Sequence, residues 1–181
     1  MRDLVVININ KRVNQGDVYE TPEELTNRIL QLEKFQGNVF EPCCASGKMS
    51  RVLEKYGYAV ISSDIRKDDI YGEGGKDFLE FNDVADNIMT NPPYSIATEI
   101  VMHALKHCSK KVIMLVRIQF LNGIERKLLY ENYPPKKVYV ISKRPTLYPR
   151  GQAKPKNGGT IDYVWIVWER GYNGVTELKW I

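Results

Sequence analysis

The sequence predicts an α/β fold with a mainly parallel sheet, on three observations. Short apolar stretches that read as strands alternate with stretches of helical periodicity. The links between them are short. The three most distinctive motifs, at residues 40–50, at Asp64 and at residues 91–94, all fall where a strand ends. The carboxyl ends of parallel strands are where open α/β sheets bind their ligands, so the three motifs should share one crevice. At 181 residues and 43% hydrophobic, the chain can bury one core comfortably and not two, so residues 1–181 read as a single domain.

The elements follow in order. Thr21-Pro22-Glu23-Glu24 opens a helix, with Thr21 at the cap, Pro22 at the first helical position and Glu24 closing a capping box. Leu25, Ile29, Leu30 and Leu32 give it an apolar face as far as Phe35, and Gly37 stops it. A strand at 39–43, a helix at 48–56 ended by Gly57, and a strand at 58–63 terminating on Asp64 complete a βαβ unit. Residues 65–85 are polar and glycine-bearing, with room for a little regular structure near Phe78. Then come a strand at 87–90, a helix at 96–108 and a strand at 112–118. A helix at 124–132 and strands at 137–141 and 161–168 follow. No helical pattern joins the last two strands, which suits antiparallel pairing at the sheet edge. Leu4 to Ile9 alternate imperfectly, so the alternation does not decide whether residues 3–16 add a strand.

Cys43, Cys44 and Cys108 make no disulfide framework, and adjacent cysteines are strained partners, which fits a reducing compartment. With no N-terminal signal pattern and no apolar run approaching 18 residues, a soluble cytoplasmic protein with no membrane contact is expected. The net charge is +4, yet residues 132–161 hold seven Lys or Arg and no acid. All the excess positive charge therefore lies in that segment, interleaved with Tyr133, Tyr139 and Tyr148. Such a run is either a solvated face or a surface for nucleic acid.

In FEPCCASGKMS, residues 40–50, a strand breaks into small residues and a helix begins, a geometry that brings backbone N–H groups to a ligand. A phosphate-binding P-loop needs Gly at 42 and Ser or Thr at 49, where Pro42 and Met49 stand, and the dinucleotide fingerprint lacks two of its glycines. In Asn91-Pro92-Pro93-Tyr94 two prolines forbid helix and remove two N–H donors, leaving an extended elbow with outward carbonyls. His103 and His107 lie one helical turn apart with no third ligand in sight, so no metal site is expected.

Taken in order, the E-P-x-x-x-x-G loop, the strand-ending acid and NPPY resemble the S-adenosylmethionine-dependent amino-methyltransferases, and over residues 17–168 the chain is similar to small phage-type N6-adenine DNA methyltransferases. The resemblance implies a Rossmann-like class I methyltransferase fold. Its sheet would be doubly wound, mostly parallel and seven-stranded with an antiparallel edge strand. It implies S-adenosyl-L-methionine as cofactor, cradled by Glu41, Pro42, Cys43, Ala45 and Gly47, although Ala45 stands where the family usually has glycine. Asp64 would accept from the ribose hydroxyls, with Ile65 beside it. Asp77 and Phe78 would meet the adenine, a role for which Asp68, Asp69 and Asp83 compete. Tyr19 and Thr21 would sit near the methionine end, Thr21 serving equally well as a helix cap. Asn91, Pro92, Pro93 and Tyr94 would form the catalytic element: the Asn91 oxygen and Pro92 carbonyl accept the two N–H bonds of a target amine, and Tyr94 stacks an extruded base. No covalent nucleophile is needed, so Cys43 and Cys44 have no catalytic part.

The implied reaction is N6-adenine methylation of DNA, with RNA adenine or a protein glutamine amide as other acceptors. A non-catalytic subunit that keeps the fold is the reading from another class. Nothing between the cofactor loop and NPPY leaves space for a separate target-recognition domain. DNA contacts are therefore expected from Lys143, Arg144, Arg150, Lys154 and Lys156, in the loop after the strand at 137–141.

Overall fold

The computed structural model of the chain describes residues 19–147 and 159–181. Its helices are α1 (Glu23–Leu32), α2 (Lys48–Lys55), α3 (Ala97–Lys106) and α4 (Ile124–Asn132). Its strands are β1 (Val39–Glu41), β2 (Val60–Asp64), β3 (Glu73–Gly74), β4 (Ala85–Thr90), β5 (Cys108–Arg117), β6 (Lys137–Val140), β7 (Tyr163–Glu169) and β8 (Glu177–Trp180). They form one sheet in the order β3-β2-β1-β4-β5-β7-β6-β8. Every neighbouring pair is parallel except β5 with β7 and β7 with β6.

The central strands β1, β4, β5 and β7 are apolar, as strands covered on both faces must be. Leu25, Ile29 and Leu30 of α1 and Met49, Val52 and Leu53 of α2 pack with Val39, Met89, Ile113, Leu115 and Trp165 on one side. Ile100, Val101 and Ala104 of α3 and Leu129 of α4 pack with Ile88, Val112, Met114, Val164 and Ile166 on the other. The expected doubly wound α/β class is thus the one observed. From β1 the chain builds outward through β2 to β3, then returns to build the other way from β4. The gap between the carboxyl ends of β1 and β4 is therefore the switch point of the sheet.

Several details differ from the sequence-based expectation. The sheet has eight strands, and the antiparallel β7 lies inside it, flanked by β5 and β6, with β8 outside β6. β3 has two residues in a polar stretch, and β8 is exposed along its length, so neither carries an apolar signal. β1 ends at Glu41, where Pro42 has no N–H to offer a neighbour. α1 starts with Pro22 in the cap position and no side-chain cap. Thr21 lies one residue before the cap position, and its hydroxyl accepts from Asn91 instead. Residues 3–16 lie outside the described residues.

One buried acid joins α1 to the far strands. Glu33, 2% exposed at the end of α1, accepts from Lys111 Nζ (2.6 Å), Lys137 Nζ (2.8 Å) and Tyr139 Oη (2.7 Å). Burial pushes its carboxyl up, but these three donors outweigh burial and bring it from the usual 4.5 down to about 2. A carboxylate held below its unfolded value stabilises the fold above pH 4.5, and that stability is lost as pH falls towards 2. Glu33→Gln is expected to cost about 3 kcal/mol in urea unfolding at pH 7, because two part-buried ammonium groups lose their counter-charge. The difference from the parent should close as pH falls from 4.5 to 2; a gap that stays constant with pH would contradict this account.

Candidate active site

The loop leaving β1 turns through two left-handed residues, Ala45 (φ 49°) and Gly47 (φ 77°). Gly47 has no alternative: a Cβ there would lie 2.2 Å from Cγ of Tyr71. Ala45 adopts its conformation against the preference of an L residue, at about 1–2 kcal/mol. Two bonds hold it there, one from its N–H to Asp64 Oδ2 (3.0 Å) and one from the Tyr71 N–H to its carbonyl (2.9 Å). The loop and the end of β2 are thus one unit. Beneath it Glu41 is buried and shares a hydrogen bond with Ser50, which is 2.6 Å from Ser62 Oγ.

Asp64 is 3% exposed and its acceptor positions are filled. Oδ1 accepts from the Arg66 N–H (3.0 Å) and Arg66 Nε (2.8 Å), and Oδ2 from Arg66 Nη2 (2.7 Å) and Ala45 N–H (3.0 Å). A ligand hydroxyl reaches this carboxylate only if the guanidinium of Arg66 turns aside. Asp77 caps the turn Phe78–Glu80 by accepting from Leu79 N–H (2.9 Å), which fixes Phe78 between Phe40 and His103.

At the end of β4 the amide of Asn91 is held by its nitrogen. Nδ2 donates to the Tyr19 carbonyl (3.1 Å) and to Thr21 Oγ1 (3.1 Å). A backbone carbonyl only accepts, so the amide cannot flip, and Oδ1 is left buried with no hydrogen-bond partner. The Pro92 carbonyl likewise accepts no bond among the described residues. Tyr94 packs against Tyr19 (centroids 5.3 Å apart) and Tyr163 (6.0 Å), with the Arg117 guanidinium 4.2 Å from its ring. Burial holds its phenol far above the ordinary range, so it stays protonated. Burial also pushes up the Cys43 thiol, and the Cys44 thiol to about 11, so neither is a thiolate nucleophile near neutral pH.

Most of the residues expected at the site line one cleft. Tyr19, Pro42, Cys43, Ala45, Asp64, Ile65, Asp77, Phe78, Asn91, Pro92, Pro93 and Tyr94, all singled out in the sequence, are there together. Thr21 and Glu41 line a smaller recess that shares Tyr19, Cys43, Ala45 and Asn91 with the cleft, while Gly47 lines neither and only shapes the loop. The loop after β6 emerges at the same end, since β6 runs parallel to β4 and β5. Lys143 is exposed there, and Arg144 is paired to Asp162 through Nε (2.6 Å). Arg150, Lys154 and Lys156 lie outside the described residues.

The sequence reading missed Arg66, Lys76, Ile96 and Ile100 in the cleft, and Glu20, which accepts from Ser46 Oγ (2.6 Å) in the recess. Glu20 was signalled by its place between Tyr19 and Thr21. Tyr163 and Arg117 had no signal, because they meet only through the β5–β7 register.

No protein-family model matches the sequence and no curated protein is similar to it. Solved structures are similar. Magnesium protoporphyrin IX methyltransferase from Synechocystis PCC 6803, solved with bound SAM, matches with TM-score 0.56 and 14% identity over 93% of this chain and 86% of that one. A dimethyladenosine transferase from Plasmodium falciparum matches with TM-score 0.56 and 16% identity over 84% of this chain and 62% of that one. TrmN from Thermus thermophilus matches with TM-score 0.51 and 16% identity over 88% of this chain, which spans about half (51%) of TrmN.

The Glu41 carboxyl gives a check on the cleft's interior. Burial raises it from 4.5 to about 8 despite its bond to Ser50, so its share of stability is full below pH 4.5 and lost as pH rises through 8. Glu41→Gln, neutral at every pH, should unfold later than the parent at pH 9, with the advantage vanishing below pH 4.5 in thermal melts. An advantage independent of pH would mean Glu41 is ionised in the fold. The architecture, strand order and switch-point cleft together are those of the Rossmann-like class I methyltransferase fold.

Proposed function

We propose that this chain is an S-adenosylmethionine-dependent methyltransferase that methylates the exocyclic amine of adenine, with DNA as the polymer. The observation that carries the reading is the Asn91 amide, which lines the cleft, whose nitrogen is engaged and whose buried oxygen has no partner. A buried acceptor left unsatisfied costs about 1–3 kcal/mol, and a ligand N–H removes that penalty. Glycine-like backbone at Ala45, a strand-ending acid at Asp64 and apolar walls from Phe78, Ile65 and Pro42 fit an adenosyl group. Glu20 in the adjoining recess fits its ammonium end.

When bound, the cofactor supplies an electrophilic methyl group on a sulfonium. The chain's own task is to make an adenine amine attack it. That amine is a weak nucleophile because its lone pair is delocalised into the ring. Asn91 Oδ1 and the Pro92 carbonyl accept its two N–H bonds, turn the lone pair out of the ring plane, and stabilise the positive charge that develops on nitrogen. Tyr94 offers its cleft side to the extruded base, and stacking of about 1–3 kcal/mol offsets part of the unstacking cost. Arg66 leaves Asp64 as the ribose hydroxyls arrive, exchanging charged donors for neutral ones.

RNA adenine is the second reading, favoured by the similarity to a dimethyladenosine transferase. Label from the cofactor, followed separately into DNA, RNA and protein, distinguishes them: radioactivity in DNA adenine is expected, label in RNA alone selects the second reading, and label in glutamine discards both. Asn91→Ala should keep cofactor affinity by calorimetry yet slow transfer about 100-fold or more. Near-normal turnover would remove Asn91 from the mechanism. Asp64→Ala should weaken cofactor binding, and should also lower the melting temperature, because it strands the Arg66 guanidinium and frees the Ala45 N–H. Unchanged affinity in a folded Asp64→Ala protein would exclude the ribose contact.

A further inference from the structure

Arg117, the last residue of β5, has no role in the chemistry above, yet it is held in an unusual setting. Its guanidinium carbon lies 4.2 Å from the ring centroid of Tyr94 and 5.8 Å from that of Tyr19, and Tyr163 stands directly opposite it in the ladder. Its Nε is buried and meets no acceptor, and no carboxylate among the described residues pairs with it. Arginine does not discharge, so the position holds a permanent, partly desolvated cation whose counter-charge the described chain does not provide.

Three observations say where that counter-charge comes from. Tyr94 lines the cleft and Arg117 does not, so the cation lies against the Tyr94 ring outside the cleft lining. The neighbouring Ile118 N–H donates to the carbonyl of Asp162 (2.9 Å), and the Asp162 carboxylate holds Arg144. Arg117 thus stands one residue from the contact to Asp162, whose carboxylate holds Arg144, with Lys143 exposed beside it. All of these groups lie at the carboxyl end of the sheet, beside the element proposed to hold the target amine.

We propose that Arg117 binds a backbone phosphate of the nucleic acid beside the target nucleotide, fixing the strand while Tyr94 receives its base. The inference rests on the adenine reading and deepens it, because it requires a polyanionic substrate. A guanidinium lying on an aromatic face keeps its edge available, and the fork of its two terminal nitrogens matches two phosphate oxygens. A glutamine side chain brings no such anion. The contact positions; it carries no sequence information.

The test is a cycle between protein and substrate. An adenine oligonucleotide is made with an uncharged methylphosphonate at each of the linkages flanking the target in turn, and kcat/KM is measured for the parent and for Arg117→Gln. For the parent, one linkage should cost roughly tenfold to a hundredfold, the scale of a hydrogen bond to a charged group. Arg117→Gln should lose a similar factor on the unmodified oligonucleotide and almost nothing more on the modified one, with cofactor affinity unchanged. Arg117→Lys, which keeps the charge and loses the fork, should fall between, and the slope of log affinity for duplex against log salt should drop by about 0.9 in Arg117→Gln. Equal methylphosphonate penalties in the parent and in Arg117→Gln would overturn the proposal and leave Arg117 as a brace for Tyr94, as would a parent indifferent to every flanking linkage. Should Arg117→Gln fail to fold, the parent's linkage scan and Arg117→Lys decide alone. If the parent methylates no oligonucleotide of DNA or RNA, the adenine reading falls and this inference with it, a result distinct from methylation that ignores the phosphates.

Discussion

The site depends on how one amide is held. Asn91 donates both of its available N–H bonds, to a backbone carbonyl and to a hydroxyl, which leaves its buried oxygen without a partner beside the cleft that the residue lines. The two acceptors come from Tyr19 and Thr21, at the entry to α1, so the orientation of a group on β4 is set by a segment some seventy residues earlier in the chain. Thr21, one residue before the cap position, serves Asn91 and not its own helix. The prolines, with no N–H at positions 92 and 93, keep the segment that leaves β4 extended until the turn at Tyr94.

Around that amide the structure places arginines against groups that ligands would otherwise meet. Arg66 saturates Asp64, and Arg117 lies against the Tyr94 ring outside the cleft lining. The two differ in what they lack. Arg66 is fully paired and must move for a hydroxyl to bind; Arg117 is already in place and short of an anion. On the proposed reading, the first makes cofactor binding an exchange of hydrogen bonds, and the second would tie Tyr94 to the backbone of a nucleic-acid substrate. Both follow from the switch-point topology, which brings the ends of β1, β2, β4 and β5 to one rim.

Much of this was legible in the sequence where local rules act alone. Strands buried on both faces must be apolar on both, so β1, β4, β5 and β7 announced themselves, and motifs at the ends of parallel strands had to converge. Twelve of the residues singled out line one cleft for that reason. What stayed hidden depended on pairing. β8 is recognised by its backbone ladder to β6 and not by burial, β3 is too short to carry a pattern, and the place of β7 inside the sheet is a matter of register. The meeting of Arg117 with Tyr163, and the reach of Glu33 from α1 to Lys137 and Tyr139, likewise exist only after the strands are ordered. Capping rules gave Thr21 a local role because its true partner is distant in sequence.

The claim that everything else serves is that Asn91 Oδ1 is the acceptor for the substrate's amine. A crystal structure with S-adenosylhomocysteine and an adenine-containing oligonucleotide examines it directly. The account predicts the amine nitrogen about 2.7–3.2 Å from Asn91 Oδ1, with Nδ2 still donating to the Tyr19 carbonyl and the Thr21 hydroxyl. An Asn91 side chain turned away from the base, or an adenine bound outside the cleft between β1 and β4, would contradict it.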